Sequence, residues 1–182
     1  VPNLSCPSSG FQSSYLWIGL GGWNDDKALE QVGSAQWCDN GTAHYGLFAE
    51  FWPDGPIAGD GGEYSGYPVK PGDKLDASVT RLANGQYRLK EVSSRGWTYT
   101  KDGNAPGSSA GNLTAEVIAE PPYRQAYGEP LANFGTVDFS NISITSDGSP
   151  SPTLYDVQYN NVKKTEASKS SSSALRVKWL HA

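Results

Sequence analysis

Leu113-Thr114-Ala115-Glu116-Val117-Ile118-Ala119-Glu120 alternates without a break and carries its acids on one side only. Successive side chains of an extended chain point to opposite faces. Leu113, Ala115, Val117 and Ala119 therefore face a core, and Thr114, Glu116, Ile118 and Glu120 face the other way. Pro121 and Pro122 end the segment. Antiparallel sheets routinely wet one face, so two outward glutamates need no function. The same arrangement also suits the floor of a site. Glu116 and Glu120 are not a catalytic pair with each other, because four residues of strand separate them by about 13 Å, too far to share one scissile bond. A partner for either has to come from another strand.

The 182 residues suit one domain, 1–182, with a substantial core. Six Trp, ten Tyr, 21 Gly and 12 Pro, with no sustained 3.6-residue periodicity, point to an all-β fold. A formal charge of −5 without any Lys/Arg cluster argues against nucleic acid or an anionic membrane as partner. No apolar run is long enough to span a bilayer as a helix. Cys6 and Cys38 could form one bridge tying the N-terminal arm to the sheet, which the sequence alone leaves open. The chain begins at Val1 without an initiator Met or a signal-like segment, as a processed mature form or a recombinantly expressed chain would. Sequons at Asn3, Asn40, Asn112 and Asn141 fit secretion weakly. No Cys/His set has metal-ligand spacing, and with only His44 and His181 present a Ser-His-Asp triad is poorly supported. Neither metal nor cofactor is expected.

Working outward, residues 1–14 predict an irregular arm rich in Pro, Ser and Gly. In Tyr15 to Leu20, Leu16, Ile18 and Leu20 face a core, with Tyr15, Trp17 and Gly19 opposite. Gly21 and Gly22 break that strand, and a loop with Asn24, Asp25 and Asp26 follows. Ala28 to Gly33 predicts a short strand carrying Gln31. From His44 to Trp52, Tyr45, Leu47, Ala49 and Phe51 point inward, and His44, Phe48, Glu50 and Trp52 form a face suited to an extended ligand. Pro53 to Tyr67 is a long loop that includes Tyr64. Lys74 to Ala83 and Gln86 to Ser93 predict a hairpin through a two-residue Asn84-Gly85 turn. Gly96 to Thr100 is a short strand, and Lys101 to Gly111 a loop.

After the prolines a loop carries Tyr123, Arg124 and Tyr127. Leu131 to Ile144 predicts a strand with an irregularity near Asn141. Leu154 to Tyr159, a turn at Asn160-Asn161, Val162 to Ala167, a Ser-rich loop from Ser168 to Ser173 and a strand Leu175 to Leu180 complete the chain. Roughly a dozen short strands without helices imply two packed antiparallel sheets.

Taken in order, Trp17-Ile18-Gly19-Leu20, Gln31-Val32-Gly33, Phe48-Ala49-Glu50-Phe51-Trp52-Pro53, Pro71-Gly72-Asp73, Ala115 to Glu120 and Phe134-Gly135-Thr136-Val137-Asp138-Phe139 resemble the glutamic peptidases called eqolisins. These are acid endopeptidases secreted mainly by fungi, with bacterial relatives. No single fragment is specific. The ordered series, covering most of the chain from Tyr15 onward, carries the likeness. The resemblance implies a lectin-like sandwich of two antiparallel, roughly seven-stranded sheets with substrate on the concave face. It places the catalytic pair at Gln31 and Glu116, and implies an extracellular protein acting on polypeptide. A monomer is expected. Trp17, Phe48, Glu50, Trp52, Ile118 and Glu120 are the expected substrate-binding residues, from shared faces and family match.

The chemistry of that pair is coherent. A glutamate accepts a proton from water as it attacks the peptide carbonyl and returns it to the leaving nitrogen. A glutamine amide offers N–H donors to the oxyanion and a carbonyl oxygen to orient the water. In acid a histidine base would be protonated, whereas a carboxyl with an ordinary pKa of about 4.3 still switches. Activity is expected at roughly pH 3 to 5.

Three departures from the family pattern stand out: Gly21 where an acid is usual, Trp52 where Tyr is usual, and Val117 where Trp follows the catalytic glutamate. They leave room for altered specificity, a shifted pH optimum or an inactive relative. A carbohydrate-binding or glycoside-hydrolysing sandwich is the competing reading. As a glycosidase it would need two carboxyl groups about 5 to 9.5 Å apart, Glu50 and Glu116 being the pair to measure.

Overall fold

A computed structural model of the chain describes residues 1–23, 28–58, 65–104, 114–121, 130–145 and 152–182. The expected loop residues Asn24 to Asp26, Tyr64, Tyr123, Arg124 and Tyr127, together with Asn112 and Leu113, lie outside them. Among the described residues all regular structure is strand.

One five-stranded antiparallel sheet dominates. It is built from β1 (Phe11–Gly21), β2 (Leu29–Asp39), β3 (Thr42–Trp52), β4 (Pro56–Ala58) and β8 (Ala115–Glu120), in the order β4-β3-β2-β1-β8. Against it lie two three-stranded ladders. The first is β5 (Leu75–Arg81), β6 (Tyr87–Ser93) and β7 (Thr98–Gly103), in that order. The second is β12-β13-β9, from Thr165–Ser171, Ala174–Trp179 and Thr136–Phe139. β10 (Gln158–Tyr159) and β11 (Val162–Lys163) form a small hairpin.

The alternation read from sequence decides which layer each side chain joins. Val32, Leu47, Ala49 and Phe51 of the large sheet pack on Tyr87, Leu89 and Tyr99. Leu16, Cys38, Tyr45 and Ala119 pack on Leu131, Phe134 and Val177. The two ladders thus share one inner face of the large sheet, giving a sandwich. On its other face, Tyr15, Trp17, Ala35, Trp37 and Phe48 form a separate aromatic cluster.

Several expected boundaries are corrected. β1 starts at Phe11, so the irregular arm ends at Gly10 rather than Ser14. Ser13 and Ser14, polar in sequence, are buried in the strand, and the Ser14 hydroxyl donates to Gln36 Oε1 at 3.3 Å. The short strand expected at Ala28 to Gly33 is an eleven-residue central strand. Its Ser34 and Gln36 satisfy each other inside the sandwich, the Gln36 amide donating to Ser34 Oγ. Asn84-Gly85 belongs to a longer loop, closed by Gly85 N to Leu82 O and Leu82 N to Gln86 O, with only Gly85 left-handed (φ 85°). The two-residue turn instead occurs at Asn40-Gly41, both left-handed at φ 45° and 88°, between Asp39 and Thr42. Asn160-Asn161 (φ 48° and 61°) turns as expected.

Within Leu131 to Ile144 only Thr136–Phe139 is ladder strand. Leu131 and Asn133 make isolated bridges, and Asn141 is left-handed at φ 56°, which breaks the alternation where its phase was seen to change. Leu154 to Tyr159 contributes only Gln158–Tyr159. The segment Val162 to Ala167 is interrupted at Lys164, whose N–H bonds to the Val157 carbonyl. The serines expected as a loop instead extend β12 to Ser171, because an edge strand with exposed side chains needs no apolar alternation. Cys6 and Cys38 are bonded, with Cα atoms 5.4 Å apart, fixing the arm to the end of β2.

Candidate functional site

Strand register builds the site. On the aromatic face of the large sheet, β1 carries Gly19, which stands opposite Gln31 of β2 on one side and Glu116 of β8 on the other. Gln31 in turn stands opposite Glu50 of β3. Glu50, Gln31, Gly19 and Glu116 therefore form one transverse row on one face. Because Gln31 and Glu116 are both immediate neighbours of Gly19, their backbones lie about 10 Å apart. Glycine puts nothing between them. The row on one side pairs Trp52 with Leu29 and Leu29 with Gly21; the row on the other pairs Phe48, Gly33, Trp17 and Ile118.

The space over Gly19 is a slot. A β-carbon placed there would stand 2.8 Å from Leu29 Cδ1 and 3.0 Å from Trp17 Cζ3, so those two side chains close over the glycine and any opening between Gln31 and Glu116 lies above them, with Leu29 and Trp17 as its walls. Gln31, 5% exposed, and the half-buried Glu116 are its two ends. The Gln31 amide donates to Glu50 Oε2 at 2.5 Å. That bond fixes the orientation of the amide, and leaves its second N–H and its carbonyl oxygen for other partners. Glu116 Oε1 accepts a hydrogen bond from Thr114 Oγ1 at 2.7 Å, which restrains rotation of the carboxylate.

Three acids share this face, in different environments. Burial holds the Glu50 carboxyl above its ordinary value, an effect reduced by the Gln31 hydrogen bond. Glu120 is pushed up to about 7, first by burial and further by the Glu116 and Glu50 charges, against the hydrogen bond it accepts from Trp17. In acid both are biased to the neutral form, so neither adds charge to the slot.

The structure thus brings Gln31, Glu116, Glu50 and Trp17 to one slot. Trp52 stands at its rim, 46% exposed, and is open to a ligand. Trp17 and Phe48, expected to line substrate, are only 5% and 4% exposed. They pack with Tyr15, Ala35 and Trp37, so Phe48 lies in the packed layer beside the site and Trp17 presents only its edge to it. Ile118 packs against the same cluster, and Glu120 is engaged by Trp17. Sequence reading missed three contributors: Thr114 as a partner of Glu116, Leu29 as a wall and Gly19 as the floor. The first was legible as two residues on one face of one strand; the other two needed the register. No cluster of metal-ligating side chains occurs among the described residues.

The fold has solved counterparts. The crystal structure of aspergilloglutamic peptidase from Aspergillus niger superposes with a TM-score of 0.77 at 23% identity, covering 93% of this chain and 99% of that one. Scytalido-glutamic peptidase, crystallised with a peptide-based transition-state analogue, gives a TM-score of 0.79 at 22% identity, covering 99% of this chain and 88% of that one. In sequence the chain is 27% identical over 164 residues to aspergillopepsin-2 of Aspergillus niger, covering 86% of this chain and 56% of that protein. It therefore spans little more than half of that curated relative's length. Register, slot and ordered motifs converge with a match that runs over residues 1–179: the chain belongs to the Peptidase A4 family.

Proposed function

We propose that the chain is an acid-acting endopeptidase in which Glu116 and Gln31 work on one water held between them. Glu116 takes a proton from the water as it attacks the peptide carbonyl, then delivers that proton to the departing nitrogen. Gln31, aligned by Glu50, supplies an N–H to the oxyanion. Trp52 at the rim contacts the polypeptide. The observation that supports this most is the register, which sets Gln31 and Glu116 on opposite sides of a side-chain-free position. The names of its relatives point the same way. The disulfide fits an extracellular, oxidising setting, and we take the working unit to be a monomer.

A glycosidase needs two carboxyl groups flanking one bond at about 5 to 9.5 Å. Glu50 and Glu116 stand three strand spacings apart, about 14 Å at the backbone, and Gln31 occupies Glu50. That geometry favours the peptidase reading.

Glu116→Gln tests it. Hydrolysis of an unfolded protein at roughly pH 3 to 5 should fall at least about a thousandfold, with circular dichroism and thermal unfolding unchanged, while Gln31→Ala should lose about a hundred- to a thousandfold. Parental activity in folded Glu116→Gln refutes the mechanism.

A further inference from the structure

We infer that Glu120 is a positioning residue for the reaction proposed above, acting through Trp17: it anchors the indole that forms one wall of the slot and does not itself touch substrate. The inference rests on the Glu116–Gln31 reading. Trp17 Nε1 donates to Glu120 Oε1 at 3.1 Å. At the opposite end of the same indole, Cζ3 lies 3.0 Å from where a Gly19 β-carbon would stand. The ring therefore bridges two rows of the face, from the Tyr15–Glu120 pair to Gly19 in the catalytic row. One contact at its pyrrole end decides where its benzo edge meets the slot.

Packing alone leaves that edge under-determined. Tyr15, Ala35, Trp37 and Phe48 cluster with the indole and offer it apolar surface, which fills space but does not fix rotation or sliding. A buried indole N–H also needs an acceptor, because leaving it unmet costs the desolvation of the donor. Glu120 meets both needs. A carboxyl suits this place in acid, where it accepts through its carbonyl oxygen while neutral. Its charged or titratable neighbours are Glu116 on its own strand, Glu50 from β3 and Tyr15 facing it from β1. Burial and the two glutamates keep it protonated up to about pH 7, so it anchors Trp17 without opposing charge on Glu116.

The test compares Glu120→Gln, Glu120→Leu, Trp17→Phe and the double variant Trp17→Phe/Glu120→Leu in steady-state hydrolysis of an unfolded protein at pH 4. Glutamine keeps an acceptor oxygen and should stay within about threefold of the parent in kcat. Leucine removes it and should lower kcat about tenfold or more, with KM within about twofold, since misplacing a wall by a fraction of an ångström is felt in the reacting geometry. Trp17→Phe should fall similarly, and the double variant no further than Trp17→Phe alone. Parental kcat in Glu120→Leu, a rise in KM at unchanged kcat, or full additivity in the double variant overturns the inference. Should leucine at 120 prevent folding, Glu120→Ala takes its place under the same criteria. The two claims separate cleanly: an inactive Glu116→Gln with a parental Glu120→Leu removes only the role of Glu120, whereas an active Glu116→Gln removes both.

Discussion

Replacing Gly19 by alanine puts one methyl group between Gln31 and Glu116 in their row, beneath the Leu29 and Trp17 side chains that cover the glycine. The new β-carbon would meet Leu29 Cδ1 at 2.8 Å, Trp17 Cζ3 at 3.0 Å and the Glu30 carbonyl oxygen at 3.2 Å. The tightest of these contacts is the far end of a flexible leucine, which can turn aside. Overpacking typically costs about 1–3 kcal/mol. Here the lower end applies, and alanine's smaller loss of backbone entropy in a strand offsets part of it. A net cost of about 1 kcal/mol lowers Tm by about 2–4 °C in a domain of this size. The catalytic loss should be far larger. The methyl group pushes Leu29 and Trp17 toward the gap between Gln31 and Glu116, and kcat should fall at least about a hundredfold when the reacting geometry is blocked. Thermal unfolding at pH 4 and initial rates on an unfolded protein measure the two effects separately. A folded Gly19→Ala enzyme with parental kcat would refute the slot, because nothing essential could then lie over that position. Gly33→Ala is the contrasting control: its β-carbon would overlap the Leu16 carbonyl oxygen and stand 2.6 Å from Trp17 Cα, both backbone, so it should lose the fold itself.

Two further outcomes follow from groups away from the reacting atoms. Burial raises Glu91 well above the ordinary carboxyl value, and Glu120 from 4.5 to about 7. Between those values the folded chain holds protons that the unfolded chain releases, so stability is complete below about pH 4.5 and falls as pH rises through the folded values, by about 3 kcal/mol for Glu120 alone. Urea unfolding at pH 4, 6 and 8 should show this decline, less steeply in Glu91→Gln, and a flat profile refutes it. Removing the Cys6–Cys38 bridge, which spans 32 positions, should cost about 3–4 kcal/mol, read as a lower urea midpoint in Cys6→Ser/Cys38→Ser; an unchanged midpoint refutes that role.

Sequence alternation sorted the side chains of β1, β3 and β8 onto the correct faces, because β1 and β3 each have one face in the core and polar or aromatic residues on the other, and the edge strand β8 follows their register, with Ala119 reaching the core. It failed for β2, which is central and has both faces covered. There Ser34 and Gln36 are buried polar residues that bond to each other and to Ser14, and no periodicity announces such a strand. Gln31 was recognised only through the ordered likeness to a family, since an isolated glutamine carries no chemical signal. The two Asn-Gly dipeptides show a second limit. The same pair forms a tight turn at Asn40-Gly41 and part of a wider loop at Asn84-Gly85, and cross-strand register decides which. Burial was the least legible property: Trp17 and Phe48 were assigned to the outward face correctly, yet their own mutual packing removes them from solvent.

Gly21, where the family likeness implies an acid, has φ 84°. An L-residue in that left-handed region is strained by about 1–2 kcal/mol. An acid at position 21 of this chain would therefore have to adopt a backbone conformation that L-residues rarely take. Gln31 nevertheless keeps a carboxyl partner, because Glu50 reaches it from the neighbouring strand in the same row. Burial also keeps Glu50 closer to neutral than an ordinary carboxyl, so it can align the amide in acid while adding little negative charge beside a developing oxyanion. The proposed mechanism requires an oriented amide facing Glu116 across a position with no side chain of its own, and Glu50 supplies that orientation without an acid at position 21.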